Sequence, residues 1–167
     1  MYLPDLSVYP NALDSANLRA VGWLDSEHEF TRGIAPTRVI DALREILLSN
    51  RDVNKMRGTH CCEFCADTIF GKKYVPQSRE AFRDYLDKTT IYLEHEGKRK
   101  LLGMSEIWIP SPSGIIWAAP SLIYHYSVAH RYLPPQEFQD AVESFDLSPT
   151  WDGEAEVEKW LTRQHRI

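Results

Sequence analysis

The chain contains few cysteines, and all of them lie in one short segment. Its 167 residues include three cysteines, Cys61, Cys62 and Cys65. An odd number of cysteines packed this closely makes a poor version of the disulfide framework that stabilises many small secreted domains. The cysteine content therefore argues against a disulfide scaffold, and metal binding becomes the first interpretation of the cluster.

Long apolar runs are also missing. No segment approaches the roughly 18 apolar residues of a membrane span, and residues 1–5 show neither the basic nor the apolar region of a secretory leader. We therefore expect a cytoplasmic protein that does not span a membrane. A length of 167 residues with 43% hydrophobic and 26% charged residues suits one domain over 1–167.

Basic residues are scarce towards the C-terminus. The net charge is −5, and no Lys or Arg occurs between Pro134 and Glu158. Nucleic-acid binding requires a basic face, so we do not expect it. The acidic C-terminal helical segment, 146–167, and the residues before it predict either the solvated faces of two helices or a surface that attracts a basic protein partner. The acidic residues of this region are Glu137, Asp140, Glu143, Asp146, Asp152, Glu154, Glu156 and Glu158.

Several catalytic motifs are absent as well. The sequence has no glycine-rich phosphate loop, no GxSxG nucleophile elbow and no HExxH zinc motif. The zinc-deaminase pattern is not met, because no Glu lies two residues after His60 and no Pro precedes Cys62. These absences favour a protein that is not an enzyme.

What remains predicts an α+β domain, a small antiparallel sheet of three to four strands packed with four to five helices. An irregular lead-in over 1–17 precedes a strand at 18–24, and apolar residues at helical spacing predict an amphipathic helix at 38–49. The cysteine segment after Gly58 is interpreted as a loop. Ser78 is the predicted N-cap of a short helix whose apolar face includes Phe82.

The second half of the chain predicts strands first and then helices. Turn residues separate three segments of β-type composition, which we interpret as an antiparallel meander over 90–93, 101–109 and 115–118. Ser121 is the predicted N-cap of the next helix. Pro134 and Pro135 end that helix and begin another. Val157, Trp160 and Leu161 predict a terminal helix that docks by its aromatic side.

Two histidines and two cysteines predict a metal site. Cys62 and Cys65 have the knuckle spacing that brings two thiolates to one tetrahedral ion, and zinc accepts sulfur and imidazole together. His125 and His130 fall within the separation of the histidine pair in Cys2His2 sites. Each signal alone is weak, but together they predict a structural zinc bound by Cys62, Cys65, His125 and His130.

The spacing of the histidines raises a geometric question. On an ideal helix, residues five apart point about 140° away from each other. His125 and His130 therefore converge only if the helix tightens, bulges or ends between them, and Pro134 makes an ending plausible. The alternative is that His60 replaces one of the two histidines. Cys61 is expected to pack as a small apolar side chain.

An open metal site is the alternative to a closed one. With three protein ligands, water at the fourth position becomes a nucleophile, as in metal-dependent hydrolases. The candidate carboxylates for such chemistry are Glu63, Glu106 and the pair His28–Glu29. A redox pair of Cys62 and Cys65 is a further alternative. We do not favour it, because a thioredoxin-type CxxC begins a helix after a strand.

The motifs resemble those of a family of small bacterial proteins of unknown function. The resemblance rests on the segments 21–25, 57–65, 103–107 and 119–126, with His130 and Pro134-Pro135. The family pattern is G-x-H-x-C-x-x-C followed by Y-H-Y-x-x-x-H, and the similarity covers about 2–142. It implies that the two halves of the metal site pair and that the source is bacterial, but it implies no activity.

Size and charge suggest a function by analogy. Small, acidic, cytoplasmic proteins without catalytic motifs include the immunity-type inhibitors of bacterial toxins. We therefore hypothesise a zinc-stabilised binding protein whose acidic C-terminal surface holds a basic, toxin-like partner. The alternative is a metal-dependent hydrolase with an open zinc position.

Overall fold

The computed structural model describes residues 1–10, 17–147 and 152–164, and within them the chain forms six helices and five short strands. The α+β class is confirmed. The elements in chain order are β1 (Leu18–Ala20), α1 (Thr37–Leu48), α2 (Glu63–Phe70), α3 (Arg79–Thr89), β2 (Tyr92–His95), β3 (Lys98–Leu101), β4 (Glu106–Pro110), β5 (Ile116–Pro120), α4 (Ile123–Ala129), α5 (Gln136–Ser144) and α6 (Gly153–Gln164). None of the described helices is long and apolar enough to cross a membrane.

Strand β5 is the central strand of a three-stranded sheet ordered β1-β5-β4. Strand β4 pairs with β5 antiparallel, with Ile107 opposite Ala119, whereas β1 pairs with β5 in parallel. Strands β2 and β3 form a separate antiparallel hairpin. Its turn residues, Glu96 and Gly97, have φ of 48° and 78°, the left-handed pair that a tight hairpin turn requires.

The predicted meander over 90–118 is therefore wrong in its connections. The predicted strand 101–109 is divided, since Leu101 ends β3 and Glu106 begins β4 in the other sheet. The chain bends at Gly103, which has φ +87°. A Cβ atom on Gly103 would lie 2.1 Å from the carbonyl oxygen of His60, so the segment that leads to the cysteines passes directly over this glycine.

The larger core lies between one face of the sheet and helices α1, α4 and α5. Side chains at alternate positions of β4 and β5 point into it, as the period of a strand requires. Helix α1 contributes the apolar stripe that its helical spacing predicted. The fully buried members include Leu43, Leu47, Ile107, Ile109, Ala119, Ile123, Tyr126 and Phe138.

A smaller core covers the opposite face of the sheet. Leu18, Trp108 and Ala118 pack there with Val53 and with Val157 of α6. Val157 of the terminal helix thus contacts the sheet. The predicted docking by the aromatic side of this helix stays a prediction, because the side chains of Trp160 and Leu161 lie outside the described residues. Of the expected lead-in, residues 11–16 also lie outside them. The expectation of one domain over 1–167 stays a prediction.

The predicted helix caps differ in their outcome. The Oγ atom of Ser78 accepts a hydrogen bond from the N–H of Ala81 at 3.1 Å, so the predicted cap of α3 is confirmed. Ser121 does not cap α4, because its Oγ accepts from the N–H of Gly103 at 2.8 Å and α4 begins at Ile123. The apolar face predicted for α3 is wrong at Phe82, which is 51% exposed.

Candidate metal centre

The cysteine segment forms the start of helix α2, where the sequence predicted a loop. Cys62 is the N-cap residue, and Cys65 lies in the first turn. Burial raises the pKa of the Cys62 thiol, and the nearby backbone N–H groups of Cys65 and Phe64 oppose this effect in part. These N–H groups have no partner within the helix, so they are free to stabilise a thiolate. The helix start therefore places two thiols side by side.

The two histidines come from the end of helix α4. His125 lies inside the helix, which ends at Ala129, and His130 is the C-cap residue with φ −113° and ψ 5°. The following residue, Arg131, has φ +58°, so the chain turns away immediately. The predicted ending near His130 is confirmed, and it resolves the five-residue spacing because His130 no longer follows the helical direction.

The four side chains meet with nitrogen and sulfur atoms facing one point. The Nε2 atom of His130 lies 3.2 Å from Cys62 Sγ, 3.4 Å from Cys65 Sγ and 3.2 Å from His125 Nε2. His125 Nε2 lies 3.3 Å from Cys65 Sγ. All four donor atoms fall within 4.8 Å of one another, close enough to bind one metal ion.

Four of the six separations between donor atoms are of the size that a tetrahedral ion such as zinc requires. With bonds of ~2.0 Å to imidazole and ~2.3 Å to thiolate, tetrahedral geometry separates two nitrogens by about 3.3 Å and a nitrogen from a sulfur by about 3.5 Å. The observed distances of 3.2–3.4 Å are of this size. Two thiolates and two neutral imidazoles also balance the charge of a divalent cation.

Burial changes the protonation of the two histidines in a way that suits a metal. Burial, together with the charge of His130, lowers the pKa of His125 to about 4, so this imidazole is neutral at neutral pH and offers a lone pair. Burial and then the nearby Arg32 also lower the pKa of His130. Burial raises the pKa of the Cys62 thiol to about 12, and a bound cation is what would favour its thiolate.

Phe64 lies between the two cysteines in the sequence, and its ring packs against the cluster. Its ring centroid lies 5.1 Å from that of His130 and 5.9 Å from that of Tyr126, the latter edge-to-face. Phe30 packs on its other side at 5.3 Å. Tyr126 is 2% exposed and belongs to the larger core. The candidate centre is thus joined directly to the core.

Several other candidate residues are not part of this cluster. Among the described residues, neither His60 nor Cys61 belongs to the group of four donors. Glu63 accepts a hydrogen bond from the N–H of Ser26 at 3.1 Å, and Glu106 accepts from Tyr9 and Trp108. The imidazole of His28 lies 2.8 Å from Asp25. No carboxylate from the described part of the chain joins the four donors.

The structure also corrects the argument against a redox cysteine pair. Cys62 and Cys65 do begin a helix, contrary to the predicted loop, although the preceding described segment, 54–61, is not a strand. The feature that distinguishes this pair is the presence of two imidazole nitrogens 3.2–3.4 Å from the sulfurs.

No sequence signal indicated the role of the Phe64 ring, because that role depends on contacts with distant residues.

Comparison with known proteins identifies a family but no activity. A model of the family described as Domain of unknown function (DUF7919) matches residues 1–143. No curated protein matches the chain. No solved structure matches it either. The expected resemblance to an uncharacterised family is confirmed, whereas the motif pattern and the bacterial source stay predictions.

Proposed function

The chain belongs to this family of unknown function, and we propose that it is a zinc-stabilised binding protein. The observation that carries the proposal is the convergence of Cys62, Cys65, His125 and His130 on one point. The cysteines precede strands β2 to β5 in the chain and the histidines follow them, so a shared ion would tie two distant segments together. Such an ion contributes directly to the free energy of folding.

A closed site is better supported than an open one. Four protein donors fill the coordination shell of a structural zinc, whereas catalytic zinc sites keep a position for water. The described residues also bring no carboxylate into the group that would serve as a general base. The arrangement therefore supports a structural role over the hydrolase alternative.

Metal analysis and X-ray absorption of the purified protein test the zinc site. We expect one zinc ion per chain after purification without chelator, with two sulfur and two nitrogen neighbours. Replacing His125 by Ala should lower the zinc content, while His60→Ala should leave it unchanged. A shell of three protein ligands with an added oxygen would instead support the hydrolase, and protein without metal would remove both.

We further propose that the acidic side chains of α5 and α6 hold a basic protein partner. Glu137 and Asp140 on α5 are exposed, as are Glu154 and Glu158 on α6. Glu156 fits less well, because its carboxylate pairs with Lys159 at 2.5 Å. A surface whose exposed charges are all negative raises the rate of association with a basic partner. By analogy of size and charge, the partner is a toxin-like protein and the chain its immunity-type inhibitor.

Affinity capture from the native host tests the partner proposal. We expect the native protein to recover a specific basic protein. Replacing Glu137, Asp140, Glu154 and Glu158 by Lys should abolish the complex. The same number of reversals placed on the β2–β3 hairpin and α3, at Glu94, Glu96, Asp84 and Asp87, is the matched control and should preserve it. A complex that survives the first set of reversals would rule out this surface. The zinc content of both variants shows separately whether the metal proposal holds.

A further inference from the structure

A pocket of about 250 Å³ lies apart from the Cys–His cluster, beside the start of β4. Most of its wall is apolar, and it includes an indole ring and two thioether side chains. The polar lining consists of Asn54, His60, Ser105 and Glu106. The apolar lining consists of Met1, Trp23, Gly103, Pro120 and Leu122, with Met56 at the rim, where it is 60% exposed. The volume is below the ~300–1,000 Å³ typical of drug-sized ligands, so a ligand here has few heavy atoms.

Glu106 is the unusual member of this lining. It is only 9% exposed, and its two carboxylate oxygens accept hydrogen bonds from neutral donors, Tyr9 Oη at 2.8 Å and Trp108 Nε1 at 3.0 Å. The side chain of Asn54, which also lines the pocket, lies near the same carboxylate and favours its ionised form, against the larger effect of burial. Within the described residues Glu106 forms no ion pair with Lys, Arg or His, nor with the N-terminal ammonium of Met1, which lines the same pocket on the side of His60.

Buried carboxylates are normally paired with a cation, because removing a charge from water is costly. The hydrogen bonds to Glu106 favour its ionised form, but burial outweighs them and raises its pKa. A cation placed beside Glu106 would lower this pKa again and favour the ionised carboxylate. The side chain that lacks a counter-ion thus lies at the edge of a pocket with room for one.

The apolar wall is suited to the organic part of such a cation. The indole of Trp23 is fixed by a hydrogen bond from its Nε1 to the carbonyl oxygen of Ala118 at 3.0 Å. A fixed indole offers the best side-chain surface for a cation–π contact. The thioethers of Met1 and Met56 adapt to different shapes, which suits a small apolar group.

We propose that this pocket binds a small organic ammonium ion, with its charged nitrogen towards Glu106 and Asn54 and its apolar part against Trp23 and Met56. The site is separate from the proposed zinc centre and does not depend on it. The carboxylate selects a cation over a neutral molecule, and the apolar wall selects an organic amine over a hydrated metal ion.

Titration with benzylammonium chloride, followed by NMR of ¹³C-methyl methionines, tests the proposal. The methyl resonances of Met1 and Met56 should shift, while that of Met104, which is not part of the pocket lining, should not. Benzyl alcohol has the same ring and no charge, and we expect it to bind at least about tenfold more weakly, a difference of ~1.4 kcal/mol. Equal binding of the two, or no shift with benzylammonium, overturns the proposal.

Variants test whether Glu106 recognises the charge of benzylammonium. Glu106→Gln keeps the shape of the side chain and should reduce benzylammonium binding to that of benzyl alcohol. Glu96→Gln, at a side chain that is 82% exposed on the β2–β3 hairpin, should change nothing. Because Glu106→Gln could unfold the sheet, Met56→Lys provides an independent test at an exposed rim position. The ammonium group of the new lysine should compete with benzylammonium and weaken its binding, whereas Met56→Gln should leave the binding unchanged. Unchanged binding in Met56→Lys would overturn the proposal.

Discussion

The sulfur of Cys65 lies 3.3 Å from Nε2 of His125, although 60 residues separate them in the chain. The intervening segment contains α3, the β2–β3 hairpin and two of the three strands of the sheet, β4 and β5. A metal ion at this point would therefore close a long loop, and the loss of the ion should affect the stability of the whole fold.

Metal removal should lower the stability of the protein. If the Cys–His cluster binds zinc, free zinc at about 1,000 times its Kd adds ~4 kcal/mol to the free energy of unfolding. Urea unfolding with and without a chelator measures this difference. Cys65→Ser should abolish the effect of the chelator, while Cys61→Ser, outside the cluster, should retain it. An equal response to the chelator in both variants would contradict the assignment of the cluster.

Gly103→Ala should destabilise the protein far more than Gly114→Ala. Both glycines have left-handed φ, +87° and +83°. The conformation alone costs an alanine roughly 1–2 kcal/mol. At Gly103 the new Cβ would also lie 2.1 Å from the carbonyl oxygen of His60, whereas at Gly114 no atom lies within 4 Å. Urea unfolding of both variants separates the clash from the conformational cost, and equal losses would mean that the His60 segment moves freely.

The ionised carboxylate of Asp52 should stabilise the fold at neutral pH but not at strongly acidic pH. Its carboxylate lies 2.6 Å from the Lys100 ammonium, and the two side chains are 5% and 10% exposed. Burial opposes ionisation of Asp52, but the hydrogen bonds from Lys100 and Ser105 and the charges of Lys100 and Lys55 lower its pKa below 3.8. A lowered folded-state pKa means that the stabilisation is present above pH 3.8 and is lost as the pH falls through the folded-state value.

The variant Asp52→Asn isolates this contribution. At pH 7 it should be less stable than the native protein by roughly 1–3 kcal/mol, because Lys100 loses its buried partner. The difference should shrink as the pH falls below about 3.8. Urea unfolding across this range measures it, and a difference independent of pH would refute an ionic role. Glu94→Gln, at an exposed pair with Arg99, serves as the control.

Tyr132→Phe should cost roughly 1–3 kcal/mol, the penalty for a buried polar group that loses its partner. The hydroxyl of Tyr132 donates to both oxygens of Asp5 at 2.9 Å, and the Tyr132 residue is fully buried. Burial raises the pKa of Asp5, and loss of the Tyr132 bond should raise it further. Tyr92→Phe, at a residue that is 45% exposed, should stay within about 0.5 kcal/mol of the native protein. Thermal or urea unfolding measures both.

Much of the candidate metal centre was readable from the sequence because its ligand types and spacings are local. CxxC brings two sulfurs together within one turn of chain, and the break before Pro134 allows His130 to leave the helical direction. The apolar stripe of α1 was equally predictable, since it depends only on residues three and four apart. In each case the signal and its physical cause lie within a few residues.

The remaining features depend on contacts between distant segments. Whether His60 or the two helix histidines complete the group of four was open in the sequence, and it was decided by the approach of His60 to Gly103, which directs that segment over the bend between β3 and β4. The same bend divides a predicted strand between two sheets. The pocket at Glu106 likewise joins residues from the first and second halves of the chain. The sequence by itself therefore determined the donor types and the α+β class, and only the tertiary structure decided which donors meet, because that depends on how close distant backbone segments can approach.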